Sequence, residues 1–256
     1  MKIKLVATDL DKTLLINEKS TSDFTLKTLK KLKTHNIKFC IVTARPPRIV
    51  FDYLSLPLEN IYVICLNGAE IYFDKKKIFE KYIEKDEVIS IIKKLSQNNT
   101  DVKISFESDN TLYTNFELSN YLDYKVKYTK VNFNNFKFKP VAKIIIKINK
   151  FDNLEIFNQF SDYNVDITDQ NTFVQITHKH TGKLNSLKFV ADQLGINLSE
   201  IISFGDDIND FNMIKHCGIG VAMKNGEKSV KDIADIIAPA YNQNGVAKVL
   251  IKLLSI

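Results

Sequence analysis

Two aspartates, Asp9 and Asp11, stand one residue apart in "LVATDLDKTLL", directly after an apolar run. At about 4 Å and an effective dielectric of about 20, two like charges cost roughly 4 kcal/mol. A cation must therefore sit between them, or one of them must hold a proton. A second acidic group, Asp206, Asp207 and Asp210, follows another apolar run in "IISFGDDIND". Oxygen donors with no His or Cys nearby favour a hard ion, Mg²⁺ before Ca²⁺ or a transition metal. The remaining polar positions suit a phosphate. Thr43 ends "IKFCIVTA" and offers a hydroxyl and a backbone N–H, while Asn209 adds an amide donor among the acids. Lys183 opens a helical pattern, where the helix N-terminus and the ammonium both attract an anion.

These residues need a scaffold that brings distant positions together. "KLVATDL" reads as a buried strand that ends at the aspartates, and residues i and i+2 of an extended segment face one volume. "SDFTLKTLKKLKTHN" reads as a helix with Leu26, Leu29 and Leu32 on one stripe, "IKFCIVTA" as a second strand, and "RPPRIVFDYL" as a short helix opened by its prolines. A third strand, a turn at Asn67–Gly68 and a further strand follow in "YVICLNGAEIYF", which pairs across "DKKK" with "IFEKYI". Continuously apolar strands alternating with helices argue for a parallel sheet covered on both faces, with ligands at the C-terminal strand edge.

The rhythm changes near residue 82. "DEVISIIKKLSQNN" is an amphipathic helix (Val88, Ile91, Ile92, Leu95) with Asp86 as its expected N-cap, followed by the short strands "DVKISFES" and "NTLYTN". After a poorly patterned stretch come the strand "VAKIIIKI", the helix "DNLEIFNQFSD" and the strands "NVDIT" and "TFVQIT". The α/β pattern resumes with "KLNSLKFVADQLG", in which Leu184, Leu187, Ala191 and Leu194 align, and with "EIISFGDD". The expected fold is α/β: a Rossmann-like parallel-sheet core, residues 1–81 and 182–256, with an inserted α+β cap domain at 82–181.

Composition narrows the function classes. The net charge is +6, and of 36 basic side chains only Arg45 and Arg48 are arginines. Lysine clusters such as Lys30–Lys31–Lys33 and Lys75–Lys76–Lys77 lack the interleaved aromatics of a nucleic-acid groove, so they read as a solvated surface, without nucleic acid as a partner. No apolar run is long enough to span a bilayer, and the short run after Met1 is no export signal. Cys40, Cys65 and Cys217 are scattered without metal-binding spacing, so reduced thiols in a cytoplasm are expected.

"DLDKTLL", "TAR", Gly182–Lys183 and "GDDIND" occur in the order of the four motifs of the haloacid dehalogenase superfamily, which this chain resembles over nearly its whole length. With the insertion between the second and third motifs, it looks like the Cof-type phosphatases. The resemblance implies an Mg²⁺-dependent phosphatase of small phosphorylated metabolites. Asp9 would be the nucleophile and Asp11 the general acid and base. The metal would be held by Asp9, the backbone carbonyl of Asp11, and Asp206. Thr43, Lys183 and Asn209 would take phosphoryl oxygens, and Asp210 would support the metal shell or Lys183. The inserted domain is expected to close over the site and choose the substrate.

Three positions depart from the family pattern. Ala44 replaces the usual glycine of the second motif, Leu184 follows Lys183 where glycine is usual, and Leu14 stands where the superfamily's ion pumps carry glycine. Asp207, Asn67 and Gly68 are supporting candidates, Gly68 for a tight turn and Asn67 for facing substrate. Arg45 either ties down its loop, touches the inserted domain or pairs with an acid. His178, Lys179 and His180 either line the substrate entrance or face solvent in a hinge. A phosphosugar mutase and a catalytically silent phosphometabolite-binding protein are the competing readings.

Overall fold

Aliphatic runs build the strands that carry the acidic motifs. The computed structural model describes residues 2–98, 101–118, 127–149 and 154–255. The chain divides into two units, Met1–Phe79 with Lys183–Ile256, and Glu80–Gly182.

The first unit opens with β1 (Leu5–Thr8), α1 (Asp23–Thr34), β2 (Lys38–Val42), α2 (Pro47–Tyr53), β3 (Tyr62–Cys65), β4 (Glu70–Phe73) and β5 (Lys76–Glu80). In the second unit come α3 (Lys85–Asn98), β6 (Lys103–Ser108), β7 (Thr111–Thr114), β8 (Tyr128–Lys130), β9 (Lys143–Lys147), β10 (Tyr163–Thr168) and β11 (Phe173–His178). The first unit then resumes with α4 (Lys183–Leu194), β12 (Ile201–Gly205), α5 (Phe211–His216), β13 (Ile219–Met223), α6 (Lys228–Asp232), β14 (Ile236–Ala238) and α7 (Gly245–Leu254).

The core sheet has the order β14-β13-β12-β1-β2-β3-β4-β5. Strands β14 to β3 run parallel, and β4 turns back antiparallel to β3. β1 lies in the middle with every residue buried, Leu5 pairing with Ile201 on one side and Lys38 on the other. Burial on both faces explains the unbroken apolar run. Leu5, Ala7, Cys40, Val42 and Ile64 pack against Leu187, Val190 and Ala191 of α4. That contact fixes the helix whose first residue is Lys183.

The sheet of the second unit runs β10-β11-β9-β6-β7-β8. Its described pairs are antiparallel except β7 with β8. Ile104, Phe106, Ile144, Ile146, Val174 and Ile176 form its apolar face, on which α3 buries Val88, Ile91, Ile92 and Leu95.

Several local expectations are corrected. α1 buries Thr25, Thr28 and Leu32 rather than a leucine stripe, and Ser22 caps it by accepting from the Thr25 N–H. Thr28 turns its hydroxyl back onto the Phe24 carbonyl at 2.9 Å, so a threonine can occupy the buried side without an unmet donor. α4 buries Lys183, Ser186, Leu187, Val190 and Ala191, because its inner face is also a wall of the acidic site. Asp86 lies in the first turn of α3, not at its cap, since the helix starts at Lys85. The expected helix after residue 152 is a 3₁₀ segment, Leu154–Phe160; Asp152 and Asn153 lie outside the described residues. The unpatterned stretch contains β8.

Candidate active site

The acids converge at the C-terminal edges of β1 and β12. Asp9 follows β1 and Asp206 follows β12, adjacent strands in parallel register, so the sheet itself brings them together. Asp9, Asp206 and Asp210 are all buried, and each places a carboxylate oxygen within 4.8 Å of the other two. Lys183 reaches into the group from the start of α4, donating to Asp9 Oδ1 and Asp210 Oδ1, each at 2.7 Å.

One ammonium thus faces three carboxylates, and the remaining negative charge appears in the proton affinities. Burial pushes the Asp9 carboxyl up to about 7, with Lys183 pulling it down and Asp210 and Asp11 adding to the rise. Asp206 is held well above the ordinary carboxylate range by burial and by Asp9 and Asp210. For Lys183, burial opposes the charge, but Asp210 and Asp9 outweigh it and raise its affinity for a proton. Buried, oxygen-only and short of positive charge, the cluster fits a hard divalent cation.

The supporting contacts are specific. The Thr13 hydroxyl donates to Asp206 Oδ1 at 2.9 Å, and Asp210 Oδ2 accepts the N–H groups of Asp206 and Asp207 at 3.0 and 3.3 Å. Asp210 therefore organises the loop and Lys183 with both its oxygens. Gly205 is needed beside it, since a Cβ there would lie 2.3 Å from Asp210 Cγ. Asp207 is a local helix cap, accepting from the Ile208 N–H at 2.8 Å.

Asp11 departs from the expected geometry. β1 stops at Thr8, and Asp11 lies inside a kinked π-type turn, Leu10–Leu14, at an extended φ/ψ of −70° and 133°. There its side chain pairs with Arg45, whose Nε donates to Oδ2 at 2.8 Å and whose Nη2 donates to Oδ1. Arg45 is buried and also donates from Nη1 to the Glu18 carbonyl at 2.8 Å. Thr43 is corrected as well. Its N–H is spent on the Ile64 carbonyl at 2.8 Å, while its Oγ1 accepts the Arg45 N–H at 3.1 Å, leaving the hydroxyl proton as its donor. Ala44, half-buried, continues the same turn.

Asn67 and Gly68 form a turn after β3. Asn67 Oδ1 accepts from Asn209 Nδ2 at 3.1 Å, and Ser186, one turn along α4 from Lys183, donates to the Gly68 carbonyl at 2.9 Å. His178 and His180 lie in the second unit, their rings 5.3 Å apart, with the His180 N–H donating to His178 Nδ1. Of the alternatives the sequence left open for Arg45, pairing with an acid is the one observed, with Asp11 as the acid; Thr13 and Ser186 were not assigned these contacts from sequence. Thr13 had a signal in "DLDKT", and Ser186 had its i+3 spacing from Lys183.

The sequence pattern of the haloacid dehalogenase-like hydrolases matches residues 6–250. The chain belongs to that family. This hydrolase is 27% identical over 263 residues to 5-amino-6-(5-phospho-D-ribitylamino)uracil phosphatase YitU of Bacillus subtilis, covering 96% of each chain. Its fold matches the structure of BT1666 from Bacteroides thetaiotaomicron, studied among phosphatases of the haloalkanoate enzyme superfamily, with a TM-score of 0.85 at 24% identity over 100% of this chain and 96% of that one. It also matches SMU.1108c from Streptococcus mutans UA159, with a TM-score of 0.88 at 21% identity and full coverage of both chains. The hydrolase is a phosphatase with a parallel-sheet core, and no described helix is long and apolar enough to cross a membrane.

Proposed function

We propose that this phosphatase hydrolyses small phosphorylated metabolites, a sugar phosphate or a cofactor phosphate, in an Mg²⁺-dependent reaction through a phosphorylated Asp9. The observation that carries the reading is the Lys183–Asp9 contact of 2.7 Å inside a buried acidic triad. Lys183 holds one oxygen of Asp9 and fixes the carboxylate for attack on phosphorus. The new bond from Asp9 to phosphorus forms as the ester P–O bond breaks, and Asp11 gives the leaving alkoxide its proton. Asp11 then takes a proton from the water that attacks the acyl phosphate, returning Asp9 as a carboxylate and releasing inorganic phosphate. Lys183, the Thr43 hydroxyl and an Asn209 N–H bind the phosphoryl oxygens.

Asp9, Asp206 and the Asp11 carbonyl would hold Mg²⁺, which supplies charge neutralisation for the phosphoryl group and the attacking carboxylate. Burial and like charge favour a proton on Asp9 in the metal-free site. A divalent cation beside it favours the ionised nucleophile. The B. subtilis relative is named for a phosphorylated ribityl compound, which supports a phosphorylated polyol or sugar as substrate class. Three free, buried cysteines suit a reducing cytoplasm.

The test is release of inorganic phosphate from an aryl phosphate and from a panel of phosphometabolites at low concentration. Turnover is expected with Mg²⁺ and is expected to vanish with EDTA and in Asp9→Asn. Activity surviving in Asp9→Asn removes Asp9 from its role, and an isomerised sugar phosphate in place of free phosphate marks a mutase.

A further inference from the structure

The turn between β3 and β4 ties three parts of the site together, yet none of its side chains has a role in the reaction above. The Leu66 N–H donates to the Arg45 carbonyl and the Asn67 N–H to the Thr43 carbonyl, both at 3.1 Å. Gly68 accepts from Ser186 on the Lys183 helix, and Asn67 Oδ1 accepts from Asn209 in the acidic loop. Asn67 is fully buried. Its φ is +54°, next to Leu66 at +53°, so the backbone is left-handed at two successive residues.

The Asn209 carboxamide is the less settled partner. Its Nδ2 spends one N–H on Asn67, while its Oδ1 is buried with no hydrogen-bond partner among the described residues. Rotating the amide by half a turn would set its oxygen against Asn67 Oδ1, acceptor against acceptor. While Asn67 presents its oxygen, it therefore favours the orientation of Asn209 in which Nδ2 faces it. In that orientation one N–H of Asn209 remains for another group, and an N–H suits a bare phosphoryl oxygen.

We propose that Asn67 is a positioning residue for phosphoryl binding, acting through the amide of Asn209. The residue type follows from two demands. A left-handed backbone is readily taken by Gly, Asn and Asp, and the contact needs an acceptor. Aspartate would meet both but would add a charge to a site that already holds Asp9, Asp206 and Asp210. Asparagine supplies the acceptor without the charge.

The proposal rests on the phosphatase mechanism given above, and a double-mutant cycle separates the two. Asn67→Gly keeps the left-handed backbone and deletes the acceptor; Asn209→Ala deletes the amide. Activity on an aryl phosphate with Mg²⁺ and inhibition by inorganic phosphate are measured for wild type, both single variants and the double. Asn67→Gly is expected to lower kcat/KM and weaken phosphate inhibition about tenfold, the scale of lost outer-shell contacts. In the Asn209→Ala background the same change is expected to add less than about twofold. Asn67→Asp, which keeps an acceptor toward Asn209 but adds a charge beside Asp9, Asp206 and Asp210, is expected to raise KM while losing less of kcat than Asn67→Gly. This variant decides the matter if Asn67→Gly fails to fold. An active wild type with Asn67→Gly unchanged, with losses that multiply in the double variant, or with kcat collapsing in Asn67→Asp overturns the role of Asn67 alone. A wild type inert toward phosphate esters overturns the mechanism and this role with it.

Discussion

Arg45 grips Asp11 with two N–H donors at once, the guanidinium buried and the carboxylate half exposed. A planar fork on a carboxylate fixes direction as well as distance. Each oxygen of Asp11 accepts one N–H from Arg45, which leaves one lone pair on each oxygen to take and give a proton. Arg45→Ala is expected to lower kcat about 10- to 100-fold on alkyl phosphates, whose leaving groups need a well-placed acid. The first half-reaction of aryl phosphates should suffer least, giving a nitrophenol burst followed by slow turnover. Arg45→Lys should resemble Arg45→Ala, because an ammonium cannot reproduce the fork. Rapid-quench kinetics on the two substrate classes check this.

Asp9 gives a pH prediction. Its carboxyl is raised from 3.8 to about 7 in the folded protein, so between those values the folded chain holds a proton that the unfolded chain has lost. Folded protein then binds more protons, and stability falls as pH rises through the window. The contribution is present in full below about pH 4 and is lost by about pH 7, with a ceiling of roughly 4 kcal/mol at 1.36 kcal/mol per unit. Thermal unfolding in EDTA should show Tm declining from pH 5 to pH 8, more steeply in wild type than in Asp9→Asn. Adding Mg²⁺ should recover the loss in wild type.

Thr13→Val keeps the shape of a fully buried side chain and deletes the hydroxyl that donates to Asp206 at 2.9 Å. Outer-shell partners of metal ligands typically govern affinity by 10- to 100-fold. Activity titrated against Mg²⁺ should shift to about tenfold higher concentration, with kcat at saturating Mg²⁺ much less affected.

Gly205→Ala forces a Cβ against the Asp210 side chain, with contacts of 2.3 to 2.6 Å. Asp210 cannot retreat without releasing Lys183 and the N–H groups of Asp206 and Asp207. Overpacking of this kind typically costs about 1–3 kcal/mol, and activity is expected to fall at least about 100-fold because Lys183 moves with it. Denaturant unfolding and turnover measured on one preparation check both effects.

Much of this arrangement was legible in the sequence where strand and motif coincide. The runs ending at Asp9 and Asp206 read as buried strands, and their adjacency in the sheet supplies the convergence that two separated acidic motifs imply. Lys183 was legible as a helix opener. Side-chain pairing across the sequence was not. Asp11 and Arg45 meet across 34 positions, and Asn67 and Asn209 across 142. Local spacing carries no trace of such partners. Helix faces misled for a related reason: α1 and α4 bury threonine, serine and lysine whose polar atoms have specific partners, and a hydrophobic stripe cannot register those.

The pairing of Leu5 with Ile201 also bears on how the chain is made. During synthesis β1 emerges before its neighbour β12, which is translated only after the whole Glu80–Gly182 unit. Until then β1 presents an open hydrogen-bonding edge to other nascent chains. Because the second unit has its own apolar interior, it can condense first and shorten the tether between the strands. Loop-closure entropy grows only logarithmically with length, so the hazard of the delay lies in intermolecular pairing by the waiting edge. Ribosome-bound chains truncated before residue 201 should therefore depend on chaperones far more than those extended past β12.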